Sequence, residues 1–314
     1  MIRISDKAKQ YLLAALKVFI LGAIFWFIYA KMTATDSQTL EAFSNSMQGK
    51  ALWILPLFVG LAMLNWLLEI LKWRTAIQPV QNLSIRDAAQ QSLTALAVSL
   101  ITPNRIGEYG AKAFYFPAEK RKQVLLLNFV SSTAQMATTV FFGSIGILLV
   151  ATTYDLSFST HYLLVFAMVL LVLVLLGWNL KERELLIKGF SLQKVYTYIT
   201  KLPSTLKGKL LLFSLLRYLC FSYLYLKLLR FFEADLALSE AYPLIFAMYL
   251  LVSVIPTIFL FDVVVRGGAA LWLFSLAGVP ELTVLCTVLA MWILNFVFPS
   301  LLGSYFLFTY KNST

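Results

Sequence analysis

Two acid–base pairs stand where an apolar chain can least accommodate charge. Glu108 and Lys112 follow a break at Pro103-Asn104-Arg105-Ile106-Gly107, and Asp262 and Arg266 follow a second break that begins at Pro256. Residues four apart share a helix face, so each acid can meet its base. A charge inside a bilayer costs at least ~2.5 kcal/mol on insertion scales, which makes such residues functional candidates by default. The chemistry they offer is electrostatic capture of an anion. Arg105, Lys112 and Arg266 supply the positive charge, while Glu108 and Asp262 hold the cations and keep a phosphate from binding irreversibly. Gly107 and Gly110 would let backbones approach closely, and the N-termini of short helices add positive potential. The alternative is that each pair neutralises itself and only pins its hairpin.

Other chemistries lack material. The single histidine, His161, sits at an expected interface. Cys220 and Cys286 lie inside apolar runs and read as small buried hydrophobes. The sequence offers no set of metal ligands, no nucleophile elbow and no phosphate loop. No catalytic residue, metal or cofactor is therefore expected, although Glu108 and Asp262 would be the best bases for a head-group enzyme. Lys17 and Glu69 fall near the cytoplasmic ends of apolar runs, where side chains snorkel to the interface. Arg217, about two turns into its run, suits either a structural or a functional role.

These residues must be positioned by membrane helices. Of 314 residues, 60% are hydrophobic and 13% charged, and the mean hydropathy is +0.81. Soluble chains run about 45–50% apolar and about 25% charged. Several apolar runs reach the ~20 residues that cross a hydrocarbon core. The fold class is an all-α polytopic membrane protein, which excludes a soluble enzyme, a disulfide scaffold and a nucleic-acid-binding domain. Continuous rather than alternating apolar runs exclude a β-barrel. The net charge of +11 needs no nucleic acid, since Lys and Arg gather in cytoplasmic loops.

Six spans are expected: 11–30, 51–71, 123–151, 161–178, 210–232 and 281–310. Two shorter broken pairs, 88–116 and 241–278, read as re-entrant hairpins, whose irregular backbone needs protein or a wet cavity around it. Residues 181–209 carry Leu185, Leu192, Val195, Ile199 and Leu202 on one helical face and Lys181, Lys188, Lys194 and Lys201 on another. That pattern predicts an amphipathic cytoplasmic helix on the bilayer. With both termini in the cytoplasm, 17 Lys and Arg fall inside and four outside, which satisfies the positive-inside bias. The hairpins then enter from opposite faces. The expected domain is one membrane unit over 1–314 with inverted halves at 11–151 and 161–310. Such repeats place transporter sites where their broken helices meet near the midplane. Arg105, Glu108 and Lys112 should therefore converge with Asp262 and Arg266 on one cavity.

The stretch Ser99-Leu-Ile-Thr-Pro-Asn-Arg-Ile-Gly-Glu-Tyr-Gly-Ala-Lys112 resembles a signature of the flippase-like family typified by the transmembrane region of lysylphosphatidylglycerol synthase. A second signature resembles Pro256 to Val279, with Val265-Arg266-Gly267-Gly268 and Ala277-Gly278-Val279. Asn104 stands where that family usually has Gly, Gly267 where it has Glu, and Phe261-Asp262 replace a glycine-rich approach. The resemblance runs from the first span to the last. It implies a lipid transporter of the bacterial inner membrane that binds an anionic phospholipid or polyprenyl-phosphate head group. A stand-alone member without the aminoacyltransferase domain, and so without lysyl transfer, is expected. The alternative is a non-transporting accessory subunit of an envelope glycosyltransferase or lipid-modifying enzyme.

Overall fold

The computed structural model describes residues 52–99, 106–156, 192–255 and 259–309, together with Glu41, Asn45, Met47 and Thr102. The expected spans 11–30 and 161–178, and residues Pro103, Arg105 and Pro256, lie outside the described residues, as does the side chain of Asp262. The chain divides into residues 1–54 and 55–314, and the architecture below is that of the second unit.

The described elements are all helical: α1 (Leu55–Ile77), α2 (Ile85–Ser99), α3 (Gly107–Phe114), α4 (Ala118–Thr153), α5 (Leu192–Lys201), α6 (Ser204–Phe231), α7 (Leu238–Val254), α8 (Phe259–Ser275), α9 (Glu281–Trp292) and α10 (Phe298–Thr309). A π-helical turn, Ile293–Val297, joins α9 to α10 without a break. Among the described residues, α1, α4, α6 and the continuous run Glu281–Phe306 are long and apolar enough to cross a membrane. They match four of the expected spans, and three of them, α1, α4 and α6, overrun the expected bounds at one end or both. The α1 helix continues to Ile77 instead of stopping at Leu71, and α4 begins at Ala118 and takes Lys120 and Lys122 into its first turns. Helices end where the backbone is interrupted rather than where charge begins. Pro117, Pro203 and Pro280 immediately precede α4, α6 and α9, and a proline ring bars a helix from extending backwards through it.

The two broken pairs are present as α2 with α3 and α7 with α8, each helix packed on its partner. Ser84 opens α2 by accepting a bond from the Asp87 amide at 3.1 Å and donating to the Asp87 carboxylate at 2.7 Å, a reciprocal cap that satisfies an orphan amide. The largest helix contacts are reciprocal. The α7 helix lies along α4, α2 lies along α10, and α1 lies along α6. Thus α2, the leading helix of the first broken pair, packs on the last described helix, and α7, that of the second, packs on the span that follows the first pair. Glycines permit this. A Cβ on Gly146 would sit 2.6 Å from the Ala247 nitrogen, and one on Gly303 would run into the Leu93 carbonyl. Close backbone approach of this kind is how helices adhere where lipid offers no hydrophobic drive.

The amphipathic segment departs from its expected setting. Lys194 and Lys201 are exposed on α5, but Tyr198, Ile199 and Leu202 pack on a protein core formed by Trp73, Ile77, Phe116, Val124 and Leu210. Ile199 and Leu202, at the end of the apolar stripe, are therefore covered by the helical bundle. Lys181 and Lys188 lie outside the described residues.

Candidate binding cavity

A cavity of about 420 Å³ opens among α1, α2, α3, α4, α6, α7, α8 and the π turn. Its most charged wall is built on Glu69 of α1. The Glu69 carboxylate pairs with Lys72 at 3.0 Å, with Arg217 of α6, and with Lys112 of α3 at 3.8 Å. Neutral amides hold these groups in place. Arg217 donates to the Asn65 Oδ1 at 3.2 Å and to the Gln135 Oε1 at 3.3 Å, and Lys72 donates to the same Gln135 oxygen at 3.3 Å. Gln135 in turn donates through Nε2 to the Ser214 carbonyl at 3.4 Å. Three long helices are thus tied by one polar network at a depth where each group needs a partner.

The hinge between α2 and α3 sets the next wall. The Thr102 hydroxyl donates to the Ser99 carbonyl at 3.1 Å and accepts from the Gly107 amide at 2.8 Å, closing the gap between the two helices. A Cβ on Gly107 would lie 2.7 Å from the Thr102 Oγ1 and 2.9 Å from the Val98 carbonyl, so the close turn requires glycine. Gly110 has open space where a Cβ would stand, which removes the expected close approach at that position. Gly107→Ala should lower the thermal midpoint, at a cost of about 1–3 kcal/mol for overpacking, while Gly110→Ala leaves it within error. Equal midpoints for the two variants, read by unfolding in detergent, would reject the hinge assignment.

The α3 helix then delivers Glu108 to the cavity wall and Lys112 behind it. Lys112 is 2% exposed. Its ammonium bonds the Glu108 Oε1 at 2.7 Å and the Asn128 Oδ1 at 3.0 Å, and lies 4.5 Å from the centre of the Trp73 ring. Opposite, α8 supplies Arg266, whose guanidinium stands 5.3 Å from the Phe296 ring. Phe296 and Asn295 belong to the π turn. The wider turn displaces the backbone ladder, a geometry frequent at functional sites. The Asn295 carbonyl accepts from the Trp66 indole at 3.1 Å, and its side-chain oxygen accepts from the Asn65 Nδ2 at 2.9 Å.

Among the described lining residues, Lys72, Arg217 and Arg266 face Glu69 and Glu108, an excess of one positive charge, and Lys112 behind the wall makes it two. Ser92, Tyr218 and Tyr249 also line the cavity, and their buried hydroxyls make no hydrogen bond within the described protein. Trp66, Phe221 and Phe296 supply apolar surface beside them. Among the described residues no group of three His, Cys, Asp or Glu side chains could hold a metal.

The model of the lysylphosphatidylglycerol synthase transmembrane region matches residues 13–303. The chain belongs to that family. No curated protein matches it. Membership in this lysylphosphatidylglycerol synthase transmembrane-region family, together with the apolar spans, makes the chain an integral membrane protein.

Of the residues that the sequence nominated, Glu108 and Arg266 line the same cavity, and Lys112 joins it through Glu108 and Glu69. Asp262 belongs to α8 by its backbone. Sequence reasoning passed over the centre of the polar wall. Glu69, read as an interface charge, is half-buried among three cations, and Lys72, just beyond the expected end of its span, is 2% exposed. The reason is that α1 runs on past them and buries Trp73, Ala76 and Ile77. Arg217 resolves to a cavity residue.

Proposed function

We propose that this family member is a flippase-like transporter that binds the anionic head group of a membrane lipid in the cavity and carries it between leaflets. The lipid is of the phospholipid or polyprenyl-phosphate type, the membrane is the bacterial cytoplasmic one with both chain termini inside, and no bond is made or broken. The observation that carries this reading is the cavity itself. It collects Lys72 of α1, Arg217 of α6 and Arg266 of α8, and among the described lining residues it retains an excess of positive charge suited to phosphate oxygens. The reciprocal packing of α2 on α10 and α7 on α4 supports an inverted repeat with re-entrant hairpins, the arrangement in which transporters place sites between halves.

The test is reconstitution of the full chain in liposomes with fluorescent phosphatidylglycerol, following the label's access to an impermeant quencher. The wild type should move the lipid without a partner. Arg266→Gln and Arg105→Gln should each slow movement by about tenfold or more, the loss of one charge-assisted contact, with folded protein near normal. Transport by Arg266→Gln at the wild-type rate would overturn the site. Binding without movement in the wild type would favour the accessory-subunit role beside an envelope glycosyltransferase.

A further inference from the structure

We infer that Glu69 is a built-in rival of the bound anion: a fixed carboxylate that occupies the cations of the cavity when it is empty and weakens head-group binding enough for release. This rests on the head-group reading above. Glu69 lines the cavity, and so do two of the cations it holds, Lys72 and Arg217. The groups that a phosphate would use are therefore those already satisfied by the carboxylate. The shared chemistry is an oxyanion that takes the same charge-assisted bonds.

A structural ion cluster would need the same pairs but no cavity beside them. Here the carboxylate and two of its cations, Lys72 and Arg217, stand together in the wall of a cavity of about 420 Å³. Nor does Arg217 depend on Glu69 alone for its position. Asn65 and Gln135 hold its guanidinium through separate bonds at 3.2 and 3.3 Å, and Gln135 also holds Lys72. Removing the charge of Glu69 should leave these cations in place and offer them to the cavity.

Two consequences follow from like-charge repulsion. An anion bound within several ångströms of Glu69 is repelled, and at a protein-like dielectric one charge over that distance changes affinity by about tenfold or more. The same charge offsets the mutual repulsion of Lys72, Lys112 and Arg217 when no anion is present, a cost that falls on stability while the neutral amides keep Lys72 and Arg217 in position. Glu69→Gln should accordingly be less stable when empty and tighter when occupied.

The experiment compares the purified full-length wild type and Glu69→Gln in detergent, titrating dihexanoylphosphatidylglycerol and, separately, inorganic phosphate, with thermal unfolding as a second readout. The expected result is a lower midpoint for empty Glu69→Gln, binding about tenfold tighter than wild type, and a larger rise of midpoint on binding. Tightening for the lipid alone identifies a lipid head group as the rival's target, and tightening for both probes extends it to free phosphate. If the empty variant does not survive extraction, extraction in dihexanoylphosphatidylglycerol must recover it, and failure of that rescue overturns the inference. Wild-type binding with no tightening in Glu69→Gln overturns this inference and leaves the head-group reading standing. Binding of neither probe by either protein overturns both.

Discussion

Gly303→Ala is expected to remove most of the folded protein from the membrane. The added Cβ would collide with the Leu93 carbonyl oxygen and stand 2.5 Å from its carbon. Both are backbone atoms of α2, so no side-chain rotation relieves the contact and α2 must part from α10. Overpacking costs about 1–3 kcal/mol and occasionally more, out of a total stability of about 5–15 kcal/mol. The upper end applies here because the obstacle is main chain. Gly146→Ala should behave alike, since its Cβ meets the Ala247 nitrogen and the Pro243 carbonyl of α7. Gly143→Ala should join them, because its nearest neighbour is the Leu250 Cβ of α7, which no rotamer change can move. Gly208→Ala and Gly60→Ala, with nothing within 4 Å, serve as controls. Recovery of monodisperse protein and its unfolding midpoint measure the series. Should Gly303→Ala match the controls, the packing of α2 on α10 would be wrong, and with it the wall that α2 contributes to the cavity.

Such contacts were invisible in the sequence, whereas the elements that make them were not. Long apolar runs announce spans, and prolines followed by an acid and a base four residues on announce the two charged turns. The Glu108–Lys112 pair is legible because both partners lie on one short helix. The Glu69 cluster joins α1, α3 and α6, so hydropathy along the chain cannot reveal it. A signal was nonetheless present. Asn65, Glu69 and Lys72 recur at i, i+4 and i+7, and Asn128, Gln135 and Thr139 at i, i+7 and i+11, which draws a polar stripe down one face of α1 and of α4. A polar stripe within a span points to protein or a wet cavity rather than to lipid. Reading Glu69 by its distance from the end of the apolar run concealed that stripe.

Two further features had no signature. The π turn at Ile293–Val297 lies in an apolar run that reads as ordinary helix, because the extra residue shows only in the backbone ladder. The docking of α5 was half legible. Its periodicity shows that Tyr198, Ile199 and Leu202 share a buried side, but amphipathicity does not say what covers that side. Here the cover is the core around Trp73 and Leu210.

Lys112 separates a clasp from a ligand-binding cation, and its replacement carries the second large effect. Lys112→Met deletes an ammonium that is bonded to Glu108 and Asn128, sits over Trp73 and lies near Glu69. Breaking a buried ion pair by removing one partner costs about 3–5 kcal/mol. The Glu108 side chain is 27% exposed and reaches the cavity, and Glu69 retains Lys72 and Arg217, so the loss should fall near 2–3 kcal/mol. Because Lys112 lies behind the lining, we propose that it positions Glu108 and Glu69 rather than touching the lipid. The double change Glu108→Gln with Lys112→Met should then regain much of the lost stability, since no unpaired carboxylate is left on α3. Transport per folded molecule should stay within a few-fold of wild type in that double variant, in contrast to Arg266→Gln. The double-mutant cycle on unfolding midpoints reads the coupling, and the liposome assay reads the function. A double variant that folds well yet fails to move lipid would place the Lys112 ammonium among the groups that bind the head group.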